Sequence, residues 1–293
     1  MKIIARRSFN KSLILFVSGF ISRLGARESF HILDAIPNNQ DTAIPPDRNL
    51  KIEVFTIGDT GEKVIKSLGE MNLRGVNVTL INDSILYNFP VSIHHADLVC
   101  ILAEVNDLQA LKTAMESSRK ENDQDILSVG ILINHDLDDY RALDIQKSDA
   151  FDSLILIPNT SVEANIGLIV KTFLDCISKN NLISIDNEDL EFYLKNSGIG
   201  YISTGIASGK DRAKLASQIA LNNLRHHLFG LNKTDNFLIN VSGPENMALY
   251  EIDQGVGLFF NEASRDANIL FTATIDPGLN DAIRVTVFRL WSS

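Results

Sequence analysis

Apolar positions along this chain repeat with two different periods, and the alternation between them predicts the architecture. Short runs at residues 51–57 (KIEVFTI), 76–81 (VNVTLI), 97–102 (DLVCIL), 126–133 (ILSVGILI) and 154–157 (LILI) have the length and the β-branched content of strands. Between them, Val64, Ile65 and Leu68 fall at helical spacing, and so do the apolar residues over about 108–119. Strands that are apolar on both faces need cover on both faces. That pattern predicts a parallel sheet flanked by helices, a Rossmann-like doubly wound α/β domain over residues 50–162. Residues 58–61 (GDTG), directly after the first of these strands, read as a tight glycine turn leading into a helix.

The pattern changes further on. Residues 163–178 (EANIGLIVKTFLDCIS) keep their apolar side chains on one face and predict a long central helix, followed by an acidic loop up to residue 189. Over residues 190–293, runs at 199–207, 237–241, 269–275 and 283–290 read as strands, and 213–228 and 251–264 as helices. Strands with helices to one side suggest a smaller α+β domain. At the other end, residues 37–49 (PNNQDTAIPPDRN) are polar and proline-rich, as linkers are. The folded body is therefore expected from about Leu50, with residues 1–49 as an extension.

Charge and composition exclude some classes of function. The chain is 45% hydrophobic and 22% charged, ordinary for a globular protein, and its formal net charge is -10. An acidic surface repels phosphate backbones, so nucleic acid is not expected as a partner. Cys100 and Cys176 each lie inside an apolar run and read as small buried hydrophobes, with a disulfide or a metal ligand as the alternative. No stretch reaches the roughly 18 uninterrupted apolar residues of a membrane-spanning helix. The N-terminus carries Arg6, Arg7, Phe9 and Lys11 before the apolar run 13–21, and no acidic residue precedes Glu28. Three readings stand side by side: a twin-arginine-like export signal, a basic amphipathic helix on an anionic membrane, or an extension with a helical turn or two. The rest of the chain reads as cytoplasmic.

Three segments of the C-terminal half, in this order and spacing, carry a resemblance. They are residues 200–213 (GYISTGIASGKDRA), residues 266–277 (DANILFTATIDP) and residues 280–287 (NDAIRVTV). Together they resemble the C-terminal domain of FtsZ, the GTP-dependent filament protein of bacterial division. Upstream, residues 152–159 (DSLILIPN) and 96–99 (ADLV) resemble two strands of the same family. The resemblance covers about residues 50–290. It implies a fold of the tubulin/FtsZ type, GTP as cofactor with Mg²⁺ accompanying it, and longitudinal filament contacts with FtsZ or with a second copy. Members of that family also carry a flexible linker and a C-terminal peptide that recruits membrane tethers. Here the sequence stops at Ser293, so membrane recruitment is expected from the N-terminal segment or from co-assembly.

The residues that would hold GTP depart from the family pattern. Phosphates need inward-pointing backbone N–H groups on glycine-rich loops. The first such loop is reduced to Gly58, Asp59, Thr60 and Gly61, with a carboxylate at Asp59. Where the family has the run GGGTGTG, this chain has Ala103, Glu104, Val105, Asn106 and Asp107, with no glycine and two more carboxylates. Charge of that sign disfavours a triphosphate unless a metal intervenes, and a Mg²⁺ held by those carboxylates is the alternative. Asn165 is placed like the family's guanine-contacting asparagine, or is a polar residue at a helix start. Asp138 and Arg141 lie roughly where the family has an acidic residue and an arginine near the ribose and phosphates.

The family's opposite face carries the pattern NxDxxD, a loop that positions water against the next subunit's GTP. Its matching positions are Ser184, Asp186 and Asp189, so both carboxylates stand and the asparagine does not. The alternative there is a solvated acidic loop that caps a helix. These readings together lead to a GTPase-deficient regulator or capping subunit of FtsZ-type filaments. A divergent active GTPase that self-polymerises, and a scaffold that keeps only the fold, are the alternatives.

Overall fold

The computed structural model describes residues 2–4, 51–57, 59–81, 96–104, 107, 112, 115–116, 126–134, 151–158, 162–177, 181–195, 198–225, 235–264 and 267–291. The arginine pair and apolar run of the N-terminal segment, and the linker at 37–49, lie outside these residues. Of the helix expected over 108–119, the described residues are Lys112, Met115 and Glu116. The chain divides into two compact units.

The first unit comprises residues 47–174, 191–202 and 289–293. Its strands are β2 (Ile52–Ile57), β3 (Val76–Ile81), β4 (Leu98–Glu104), β5 (Leu127–Asn134), β6 (Ser153–Pro158) and the start of β7 (Ile199–Ser208). They follow the order β3-β2-β4-β5-β6-β7, and each neighbouring pair is parallel. The apolar runs therefore do become a doubly covered parallel sheet, with Val54, Phe55, Leu98, Ile101, Ile131 and Ile155 fully buried. Helix α1 (Asp59–Met71) buries Val64 and Leu68 one turn apart, as the helical spacing predicts. Helix α2 (Val162–Ile177) buries Ile166, Ile169, Val170 and Phe173 on one face. The start of β6 is pinned by Asp152, whose Oδ2 accepts from Ser128 N (2.7 Å) and Ser128 Oγ (2.9 Å).

The second unit comprises residues 1–46, 175–190 and 203–288. It contains β1 (Lys2–Ile4), helices α4 (Arg212–Arg225) and α5 (Leu249–Glu262), and strands β8 (Asp235–Gly243), β9 (Asn268–Ile275) and most of β10 (Ala282–Trp291). Helix α3 (Asn187–Lys195) begins in this unit. Strand order is β1-β9-β8-β10-β7, with β8–β9 and β1–β9 parallel. The periodicity predicts strands with helices to one side and leaves their directions open. The parallel β8–β9 pair, joined through α5, extends α/β construction into this unit. Strand β1 is a further difference, since residues 1–49 are expected to lie outside the folded body and three residues are too few to register as a period.

Two close approaches explain glycines of the C-terminal signature. A Cβ on Gly205 of β7 would stand 2.0 Å from the carbonyl oxygen of Ala216 in α4. A Cβ on Gly200 would stand 2.0 Å from the carbonyl oxygen of Arg289 in β10. No side chain fits either contact. On one side of the β8–β9 pair, Asn240 Nδ2 donates to Thr272 Oγ1 and Thr274 Oγ1, both at 2.9 Å, while Ser242 Oγ donates to Asn240 Oδ1 (2.5 Å). These buried polar groups satisfy one another across the two strands.

Candidate functional site

In the first unit, β2 has β3 on one side and β4 on the other. The chain thus reverses its direction of travel across the sheet at this point, and the crevice beyond the carboxyl ends of β2 and β4 is where open α/β sheets place ligands. Both glycine-loop candidates map here. Gly58 lies outside the described residues, and Asp59 opens helix α1 directly. Thr60 and Gly61 are thus first-turn helical residues, which corrects their reading as a tight turn. A turn of that kind needs room between strand and helix, and one residue separates β2 from α1.

Across the crevice, β4 does not stop where its apolar run weakens. Ala103 and Glu104 continue the strand, in register with Leu132 and Ile133 of β5. Ala103 is fully buried and Glu104 is half-buried at the strand's carboxyl end. Thr60 Oγ1 donates to Glu104 Oε1 at 3.3 Å, joining the first turn of α1 to the carboxyl end of β4. Below the same helical turn, Thr56 is fully buried, and its Oγ1 has no hydrogen-bond partner among the described residues. That atom is the nearest neighbour, at 2.5 Å, of a Cβ placed on Gly61. Nothing in the sequence pattern singles out Thr56, because a threonine inside an apolar strand reads as an ordinary β-former.

Asp107 is half-buried, while Val105, Asn106, Asp138 and Arg141 lie outside the described residues. Asn165 sits half-buried in the first turn of α2, as its placement near a helix start predicts. Among the described residues, no group of three or more His, Cys, Asp or Glu side chains is placed to hold a metal. Cys100 and Cys176 are free and buried, and burial pushes each thiol up to about 12.

The acidic loop of the second unit is anchored at both ends. Ile183 forms an antiparallel bridge with Ala273 of β9, donating to its carbonyl oxygen at 3.2 Å and accepting from its N–H at 2.9 Å. Ile185 N donates to Cys176 O (2.9 Å), tying the loop back to the end of α2. Ser184, between these anchors, and Asp186, directly after the second, are half-buried. Asp186 precedes α3, and its Oδ1 accepts from Asp189 N at 2.9 Å, as an N-capping side chain does. Asp189, in the first turn of α3, is 7% exposed, while Asn187 and Glu188 beside it are exposed. The DxxD spacing places Asp186 and Asp189 together in a cap.

A cluster that the sequence pattern does not single out surrounds Arg212, at the start of α4. Its Nε and Nη2 donate to Glu251 Oε1 (2.7 Å) and Oε2 (3.1 Å), and its Nη1 donates to Asp281 Oδ1 (2.8 Å) and Asp281 O (3.0 Å). Nη2 also donates to Asn246 Oδ1 at 3.2 Å. Glu251 Oε2 accepts from Ala248 N (2.9 Å), closing the first turn of α5. The Arg212 hydrogen bonds hold the Glu251 carboxyl below its ordinary value of 4.5, and Glu251 in turn raises the Arg212 guanidinium. Near the start of β10, Asp276 Oδ1 accepts from Gly278 N (3.1 Å) and Asp276 Oδ2 pairs with Arg284 Nη2 (3.0 Å). Parts of the long C-terminal motifs are thus accounted for by a turn, a buried charge pair and a partly buried one.

Comparison with known proteins agrees with that placement. Residues 198–289 match the FtsZ family C-terminal domain. Cell division protein FtsZ of Caulobacter vibrioides is 30% identical over 153 residues, covering 46% of this chain and 30% of that protein. Mitochondrial division protein fszA of Dictyostelium discoideum is 32% identical over 159 residues, covering 49% of this chain and 31% of that protein. The Wolbachia pipientis FtsZ is 28% identical over 153 residues and is covered over 49% of its length, so the chain spans half or less of these relatives. Among solved structures, an FtsZ mutant from M. jannaschii superposes with a TM-score of 0.68 at 20% identity, covering 83% of this chain and 92% of that one. A GTPγS-bound CetZ2 protofilament from Haloferax volcanii superposes with a TM-score of 0.56 at 11% identity, covering 82% of this chain and 92% of that one.

Proposed function

We propose that this chain, whose residues 198–289 match the FtsZ family C-terminal domain and whose fold superposes on FtsZ, is an FtsZ-type cell-division or cytoskeletal protein that regulates or caps filaments without turning over GTP itself. The observation that carries this reading is the continuation of β4 through Ala103 and Glu104 in register with β5. Phosphate binding needs free N–H groups on a loop that can curve around the anion. Here both positions run in register with β5, while the pairing with β2 ends at Leu102, and the strand ends on a carboxylate at the switch-point crevice. Like charge in a half-buried crevice opposes a triphosphate further. These residues do not fit the phosphates of a nucleotide.

The acidic loop supports the second half of the proposal. Asp186 and Asp189 stand at the spacing of the family's water-positioning pair, on a loop anchored by the Ile183–Ala273 bridge. A subunit with that loop and without a working nucleotide site would join a filament end and add no site for the next subunit. The test is substoichiometric addition of the purified chain to polymerising FtsZ, read by light scattering and phosphate release. Shorter or fewer filaments with reduced turnover are expected, and Asp186→Ala with Asp189→Ala should weaken the effect. Unchanged assembly and unchanged turnover at equimolar addition would dispose of the proposal.

A further inference from the structure

Helix α1 begins at the crevice, and the first turn of a helix presents N–H groups and the positive end of its dipole, an arrangement that attracts an anion. In this chain an anion already stands there. Glu104, at the carboxyl end of β4, accepts a hydrogen bond from Thr60 in the first turn of α1 at 3.3 Å. Both residues are half-buried, at the carboxyl end of β4 and the first turn of α1. A second group points to a ligand independently. The Thr56 hydroxyl under the same turn is fully buried with no partner among the described residues.

We propose that Glu104 is a built-in plug: an autoinhibitory carboxylate that, latched by Thr60, closes the β2–β4 crevice to phosphate-bearing ligands. The inference rests on the reading of this crevice given above, and adds that the Glu104 side chain excludes anions beside the effect of the β4 backbone. Among the described residues at this end of β4, Glu104 makes the hydrogen bond to the first turn of α1. Replacing Glu104 by glutamine keeps shape and hydrogen-bonding capacity and removes the charge, leaving the helix N-terminus open to an outside anion. Replacing Thr60 by valine releases the latch but keeps the charge, so it should open the crevice much less.

The full chain is titrated with inorganic pyrophosphate and with GTP in a calorimeter, using the wild type, Glu104→Gln, Thr60→Val and Asp107→Asn. Glu104→Gln is expected to bind pyrophosphate at least about tenfold more tightly than the wild type, a change of about 1.4 kcal/mol. Thr60→Val and Asp107→Asn are expected to change binding less than Glu104→Gln. Tighter GTP binding in parallel would identify a nucleotide-sized site, and tighter pyrophosphate binding alone a smaller one; either result supports the plug. If Glu104→Gln does not fold, Glu104→Ala carries the same test. Equal binding by the wild type and the charge-free variants would overturn the plug and leave the GTPase-deficient reading standing. Micromolar GTP binding by the wild type, tightened tenfold in Glu104→Gln, would uphold the plug and remove that reading.

Discussion

Arg212 and Glu251 form a pair with side chains 8% exposed each, and the bidentate geometry leaves neither charge uncompensated. Removing one partner from such a pair leaves a buried charge, which costs roughly 3–5 kcal/mol. Arg212→Ala should therefore destabilise the protein strongly, since it strands Glu251 and releases Asn246 as well. Asp281 adds little to that figure, because its side chain is 70% exposed and solvent screens its half of the pair. Acid should expose the same interaction. The folded-state pKa of Glu251 lies below its ordinary value of 4.5, so its stabilisation is fully present above that value and is lost as pH falls through the folded pKa. Urea unfolding of the wild type should weaken below about pH 4.5, and Arg212→Ala should weaken less steeply there. An acid limb of unchanged steepness in the variant would show that other carboxylates govern it.

At the scale of elements, β7 and α4 meet at Gly205 with no space for a side chain. The Cβ of Gly205→Ala would have to displace the Ala216 carbonyl and the Ala220 N–H, which lie 2.0 and 2.8 Å from its position. Overpacking against backbone is harder to relieve than against a flexible side chain, so a loss of about 1–3 kcal/mol is expected. Gly257 in α5 has open space around it, and Gly257→Ala should be neutral or stabilising in the same thermal unfolding assay. The elements themselves were legible wherever one period ran for a full strand or a full helical face, as in residues 126–133 and 163–178. Legibility failed where a boundary depended on tertiary pairing. Ala103 and Glu104 read as the start of a loop after a strand ending at residue 102, yet the β5 ladder carries β4 on to Glu104. Asp59, Thr60 and Gly61 look like a turn, yet the helix starts at once. The candidate site was legible as a departure from glycine, because that is a property of residue type. The Thr60–Glu104 bond was not, because it joins residues 44 positions apart.

For the whole molecule, the question is whether the two compact units unfold together. The sequence supplies a separate probe for each. Cys100 and Trp291, its one tryptophan, belong to the first unit, and Cys176 belongs to the second. Both thiols are buried with pKa values pushed to about 12, so thiolate is scarce in the folded state and labelling reports local opening. Chains of more than one compact unit commonly depart from a single transition. Gly205→Ala strains only groups of the second unit, where Gly205, Ala216 and Ala220 all lie. In a urea series with pulsed thiol labelling read by mass spectrometry, the variant should lower the midpoint for Cys176. The Cys100 midpoint and the Trp291 fluorescence midpoint should move by less than half as much. Equal displacement of all three would mean that the units fold as one, and a strained glycine in the C-terminal signature would then be felt throughout the chain.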